Sequence, residues 1–184
     1  MNSRQKIIDG AIAVFNEDFS APMDKIAMRV ELSRRTLHRY FKDRSSLLAA
    51  CWADMMDTWQ KAMIAACDSS EDPIVQLERM LYAGIDCGVK YSFLNKLEMH
   101  GGAEVETDSA LQQKYASVRD RWLGIIPLLQ QQRIISSEVS SAWVRLLFTN
   151  MITTTVQAVQ SGDIAQNDIK RIAWYSFRRS IGID

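Results

Sequence analysis

The chain carries no net charge, since 22 Lys and Arg balance 22 Asp and Glu. Bulk charge therefore gives no sign of a polyanion-binding protein. Glycine (8) and proline (3) are scarce while 47% of residues are hydrophobic, which excludes a disordered or low-complexity chain and fits a helical domain with a sizeable core. The three cysteines, Cys51, Cys67 and Cys87, are an odd number without CxxC spacing. They read as free thiols of a reducing compartment, and a cytoplasmic location is expected. No run reaches the roughly 18 apolar residues that cross a bilayer. The apolar stretch 7–15 behind the basic N-terminus is broken by Asp9, which argues against a signal peptide. Catalytic signatures are missing too. There are two histidines, His38 and His100, no HxxxH or ExxH pair, and no GxSxG, Walker or GxGxxG motif. No metal, cofactor or enzymatic activity is expected. His100 reads as a residue at a helix C-terminus.

What the chain does have is uneven charge and helical periodicity. Residues 1–50 hold nine Lys/Arg against six Asp/Glu, and the rest hold thirteen against sixteen. Within residues 29–44 six basic residues face two acidic ones. By charge alone this is either a solvated helical face or a polyanion-binding one. Apolar residues recur at three- and four-residue spacing almost throughout, giving an all-α chain of about nine helices. The expected helices are 3–17, 22–30, 33–41, 43–67, 73–91, 93–100, 108–132, 137–162 and 167–180. Ser33, Asp43 and Asp72 (before Pro73) are expected N-caps, and Gly162 a C-cap. Pro127 should kink or break its helix. Gly84 and Gly88, four apart, admit a close neighbour on one helix face.

The segment 22–44 has the pattern of a helix-turn-helix: two short helices joined by about three residues, with Ile26, Ala27, Val30 and Leu37 inward. With Leu37 as anchor, Arg34, Arg35, His38 and Arg39 project outward over two turns. Arginine's planar fork suits guanine edges and phosphates, and Thr36 suits a thymine methyl or a phosphate.

In residues 4–15, in Ile26-Ala27 and above all in Leu32-Ser33-Arg34-Arg35-Thr36-Leu37-His38-Arg39-Tyr40-Phe41-Lys42, followed by Asp43-Arg44-Ser45-Ser46-Leu47-Leu48, the chain resembles the TetR family of bacterial repressors. About fifty residues carry the resemblance. It implies an N-terminal DNA-binding domain, 1–42, and a ligand-binding and dimerisation domain, 43–184. It implies base reading by Arg34, Arg35, Thr36, His38 and Arg39, and phosphate contacts from Tyr40, Lys42 and Arg44. Positions near Met23, Asp24 and Lys25 often contact DNA in the family. Here Asp24 would repel a phosphate. The loop 18–21 lacks the family's glycine, and Glu31 and Arg35 stand where glycines are common. Glu31 must adopt the turn's backbone or force a different one.

Aromatic and methionine side chains populate the remainder. They pack a core or line a cavity for an apolar or aromatic ligand. The resemblance favours the cavity, with Trp52, Met55, Trp59, Met80, Tyr91, Met99 and Trp122 as its wall. It likewise implies a homodimer through Trp143, Leu146, Leu147, Ile169, Ile172, Ala173, Trp174 and Phe177. The expected function is a repressor that a small-molecule effector releases from a palindromic double-stranded DNA operator. The alternatives are a helix-turn-helix regulator without such a ligand and a helical scaffold protein.

Overall fold

A computed structural model describes residues 3–88, 93, 96, 97 and 109–183. Eight helices and no strand occur among the described residues: α1 (Ser3–Glu17), α2 (Met23–Arg29), α3 (Arg34–Tyr40), α4 (Arg44–Asp68), α5 (Pro73–Asp86), α6 (Ser109–Gln131), α7 (Ser141–Ser161) and α8 (Gln166–Ser180). The expected helix 93–100 falls mostly outside the described residues, and Phe93, Lys96 and Leu97 within it are helical. The chain divides into two compact units, residues 1–58 with 89–112, and residues 59–88 with 113–184.

In the first unit, α1 buries Ile7, Ile8, Ala11, Ile12, Val14 and Phe15 on one face. Gly10 lets α2 approach, since a Cβ there would stand 2.2 Å from Val30 Cγ1. Ile26, Ala27 and Val30 of the α2 region, Leu37 of α3, and Phe41, Leu47, Leu48 and Cys51 complete the core together with Phe93 and Leu97. The Cys51 thiol points to the Ile8 carbonyl, 3.8 Å away.

The connections follow from capping chemistry. Asp18 closes the glycine-free loop after α1, its carboxylate accepting from the Ser20 amide (3.1 Å), the Ser20 hydroxyl (2.6 Å) and Lys25 (3.2 Å). After α2 the chain turns in a Schellman arrangement, with Glu31 N–H donating to the Met28 carbonyl and Leu32 N–H to that of Ala27. Glu31 takes the left-handed backbone there, φ 57°, so it adopts the turn that glycine would have occupied. Ser33 then caps α3 by accepting the Thr36 amide. Asp43 caps α4 reciprocally: its carboxylate accepts from the Ser46 amide at 2.8 Å while its own amide donates to the Ser46 hydroxyl at 3.2 Å.

In the second unit, Asp72 and Pro73 start α5 as expected, the Asp72 carboxylate accepting from the Ile74 and Val75 amides. The helix ends at Asp86, five residues earlier than the periodicity indicated. Gly84 is a point of close approach, where a Cβ would lie 2.5 Å from Ile152 Cδ1 of α7. Pro127 does not end α6. It sits about one turn from the C-terminus, where the missing donor forfeits a single intrahelical bond. The α7 helix begins at Ser141, later than the expected residue 137, because Ser140, not Ser137, supplies the cap. Residues 136–139 form a turn that the Gln130 amide ties down through the Ser136 and Val139 carbonyls. Gly162 ends α7 with φ 72°.

Candidate nucleic-acid interface

The core holds α3 at one residue, and most of the rest of that helix is surface. Leu37 is fully buried while Arg34, Arg35, His38 and Arg39 are exposed and Thr36 is half-buried. A seven-residue helix with one inward side chain leaves most of its circumference open.

Each polar residue on that surface has its own setting. Arg34 Nε lies 3.2 Å from Asp24 Oδ1 on α2. The Thr36 hydroxyl shares a 2.9 Å hydrogen bond with Ser33. His38 Nδ1 is 3.1 Å from the Lys42 carbonyl. The Arg39 guanidinium rests over the Tyr40 ring, 5.5 Å from its centre. The Tyr40 phenol is held below its ordinary acidity range, first by a hydrogen bond with Ser3 and then by Arg39. Arg35 and Lys42 are exposed, and neither has an ion-pair partner among the described residues. The start of α2 is thus covered by two ion pairs, Asp24 with Arg34 and Lys25 with Asp18.

Arg44 is placed differently from the other cations. Its guanidinium lies 5.2 Å from the centres of both the Phe15 and Phe19 rings and donates to the Phe19 carbonyl. Two aromatic faces and a main-chain acceptor hold it within the first unit, so it packs the base of α4 instead of reaching outward as a phosphate ligand must. Sequence alone missed this because Phe19 lies 25 residues away in the chain. It also missed the Asp24–Arg34 pair, which only the turn between α2 and α3 brings together.

Of the residues assigned to a cavity wall, Trp52 is half-buried and Met55 buried in the first unit. Trp59, Met80 and Trp122 are buried in the second. Tyr91 and Met99 lie outside the described residues. Trp122 stands 5.0 Å from the Phe148 ring, and its buried indole nitrogen has no hydrogen-bond partner among the described residues.

The residues assigned to a dimer face divide into two sets. Trp143 (52% exposed), Leu146 (43%) and Ile172 (38%) are open to solvent, and Leu147 and Trp174 are half-buried. Ile169, Ala173 and Phe177 are buried within the single chain, which corrects their assignment to an intermolecular face. Their spacing of four puts them on one stripe of α8, and that stripe meets the chain's own core, with Phe177 edge-on to Phe148 at 5.6 Å. The open apolar surface instead includes Tyr175 (56%) and Val159 (51%), which the periodicity had not singled out.

No described helix is long and apolar enough to cross a membrane. Residues 7–51 match the model of the bacterial regulatory proteins of the tetR family. The HTH-type transcriptional repressor LfrR of Mycolicibacterium smegmatis is 24% identical over 161 residues, 87% of this chain and 80% of the repressor. The crystal structure of LfrR in complex with proflavine superposes with a TM-score of 0.73 at 22% identity, over 99% of this chain and 96% of that one. The ketosteroid regulator KstR2 of Mycobacterium tuberculosis reaches 0.79 at 11% identity, over 100% and 96%. A TetR family regulator from Marinobacter aquaeolei reaches 0.74 at 18%, over 99% and 96%. These likenesses establish the fold, and the match over residues 7–51 falls on the helix-turn-helix. Residues 7–51 carry the helix-turn-helix of the tetR family of bacterial regulatory proteins, and the chain is similar over most of its length to a transcriptional repressor of that type.

Proposed function

We propose that this regulator is a repressor which binds a palindromic operator as a homodimer and leaves it when a small, largely apolar or aromatic molecule binds. Residues 1–42 form the DNA-binding part, and residues 43–184 the part for ligand and dimer. The observation that carries the reading is the surface of α3, where Arg34, Arg35, His38 and Arg39 stand exposed around the buried Leu37. Arg34, Arg35, Thr36, His38 and Arg39 read bases, while Tyr40 and Lys42 contact phosphate. Arg44 supports them by fixing the start of α4. One such unit covers only a few base pairs, so two related by a two-fold axis are needed, with half-sites about 34–36 Å apart. The open apolar face of Trp143, Leu146, Ile172 and Tyr175 supports pairing with a second copy.

The ligand site is assigned to the second unit, at Trp59, Met80 and Trp122. LfrR, solved with the flat aromatic proflavine, supports a ligand of that shape. The α4 helix, capped at Asp43 directly after the recognition segment, carries the signal, and a coupling of about 1–3 kcal/mol suffices.

Selection of DNA from a random duplex pool, followed by measurement of mass and affinity on the enriched site, tests the reading. The expected result is a two-fold symmetric site bound by two chains and released by proflavine. If proflavine raises thermal stability but leaves operator affinity unchanged, the release mechanism is wrong. If no duplex is enriched, the operator reading is wrong.

A further inference from the structure

The Asp24–Arg34 pair is an oddity that the DNA reading leaves unused. Asp24 is a carboxylate on the first turn of a helix beside the proposed DNA surface, where its charge opposes phosphate. Both side chains are largely exposed, 71% for Arg34 and 56% for Asp24, so the pair adds little to folding stability. Arg34 is the first residue of α3, directly after the Ser33 cap. There the positive end of the helix dipole disfavours a cation. Unrestrained, its long side chain would turn away toward the nearest phosphate. The charge contact to Asp24 is at Nε, 3.2 Å from Oδ1, and it leaves open the four N–H groups of the two terminal nitrogens. Two of these are what the O6 and N7 acceptors of a guanine require. The N-terminal residues of a recognition helix are also the ones that reach base edges.

We propose that Asp24 is a positioning residue that holds Arg34 as a guanine reader and keeps it from the phosphates. The assignment rests on the proposed base-reading role of α3. It gives Asp24 two effects of opposite sign. Its charge lowers affinity for DNA in general, and its grip on Nε raises discrimination at one base pair in each half-site. Arg35 has no such ion-pair partner among the described residues.

The test is selection from a random duplex pool with the full chain, comparing wild type, Asp24→Asn, Arg34→Ala and the double variant, all checked for unchanged helix content. Wild type should enrich a guanine at one position of each half-site. Asp24→Asn should lower that guanine preference about tenfold, leave preferences elsewhere in the site unchanged, and bind unselected duplex more tightly, with a salt slope steeper by about one unit. Arg34→Ala should lose the same guanine, and adding Asp24→Asn to it should change base preference no further. Retention of the guanine by Asp24→Asn, or equal loss of preference at every position, overturns the assignment of Asp24 alone. Absence of any enriched sequence with wild type overturns the base-reading role of α3 and this assignment with it.

Discussion

The helices α3 and α8 are built on one plan and end in opposite chemistry. Each is amphipathic, and each carries basic residues in its last turn. The inward side of α3 is Leu37 alone, and its outward side is basic, with Arg34, His38 and Arg39 each set by a named neighbour and Arg35 without an ion-pair partner among the described residues. The inward side of α8 is Ile169, Ala173 and Phe177, while its outward side includes the apolar Ile172 and Tyr175. An apolar stripe thus fixes where a helix is anchored. What the helix offers to a partner is decided by the residues off the stripe.

The sharpest way to break this comparison is to cut the anchor of α8. Phe177→Ala removes a fully buried ring and should destabilise the second unit by about 3–5 kcal/mol, measured by denaturant unfolding. Ile172→Glu, on the open side, should leave chain stability within about 0.5 kcal/mol and weaken self-association instead, measured by sedimentation. If Phe177→Ala changed only association, the inward assignment of that stripe would be wrong. Leu37→Ala is the matching cut in α3. It should cost about 2–5 kcal/mol and abolish DNA binding although no DNA-facing atom is removed. Retained sequence-specific binding would show that α3 is not held through Leu37.

These two helices also mark how far sequence reasoning reaches. The helix-turn-helix was legible because its signals are local: a cap at Ser33, an anchor at Leu37 and outward cations between them. Asp43 and Asp72 were legible as caps for the same reason, since a cap bonds amides two or three residues away. Arg44 was not legible, because its partners Phe15 and Phe19 come from another helix and a loop. The pairing of Asp24 with Arg34 depends on the turn at Glu31, whose left-handed backbone an acidic residue does not announce. For α8 the period was visible but its phase was not. Ile169 and Ile172 are both apolar, and only the packing against Phe148 shows which one faces in.

A smaller effect sharpens the view of that turn. Glu31 pays for its left-handed backbone with steric strain that glycine lacks. Glu31→Gly should therefore leave stability unchanged or raise it by up to about 1 kcal/mol, read as a shift in unfolding midpoint. The lost contact to Lys6, 3.8 Å away and exposed, does not offset this. Loss of stability would mean that the Glu31 side chain has a role beyond the turn.

The smallest effect concerns the start of α4, the point where the recognition segment meets the helix proposed to carry the signal. The Asp43 carboxyl is held below its ordinary value, chiefly by the Ser46 amide, then by the Ser46 hydroxyl, with Lys42 and His38 adding attraction. The unfolded chain lacks these partners, so its Asp43 titrates near the usual value of about 3.9. A depressed folded value means that the stabilisation is present above that pH and is lost as pH falls through the folded value. Asp43→Asn caps nearly as well at neutral pH, because its side-chain oxygen still accepts the Ser46 amide. Its stability should therefore track wild type above pH 5 and fall less steeply than wild type below pH 4, in parallel denaturation series. Identical acid limbs would show that the Asp43 charge adds nothing to the cap, which would then depend on the hydrogen bond alone.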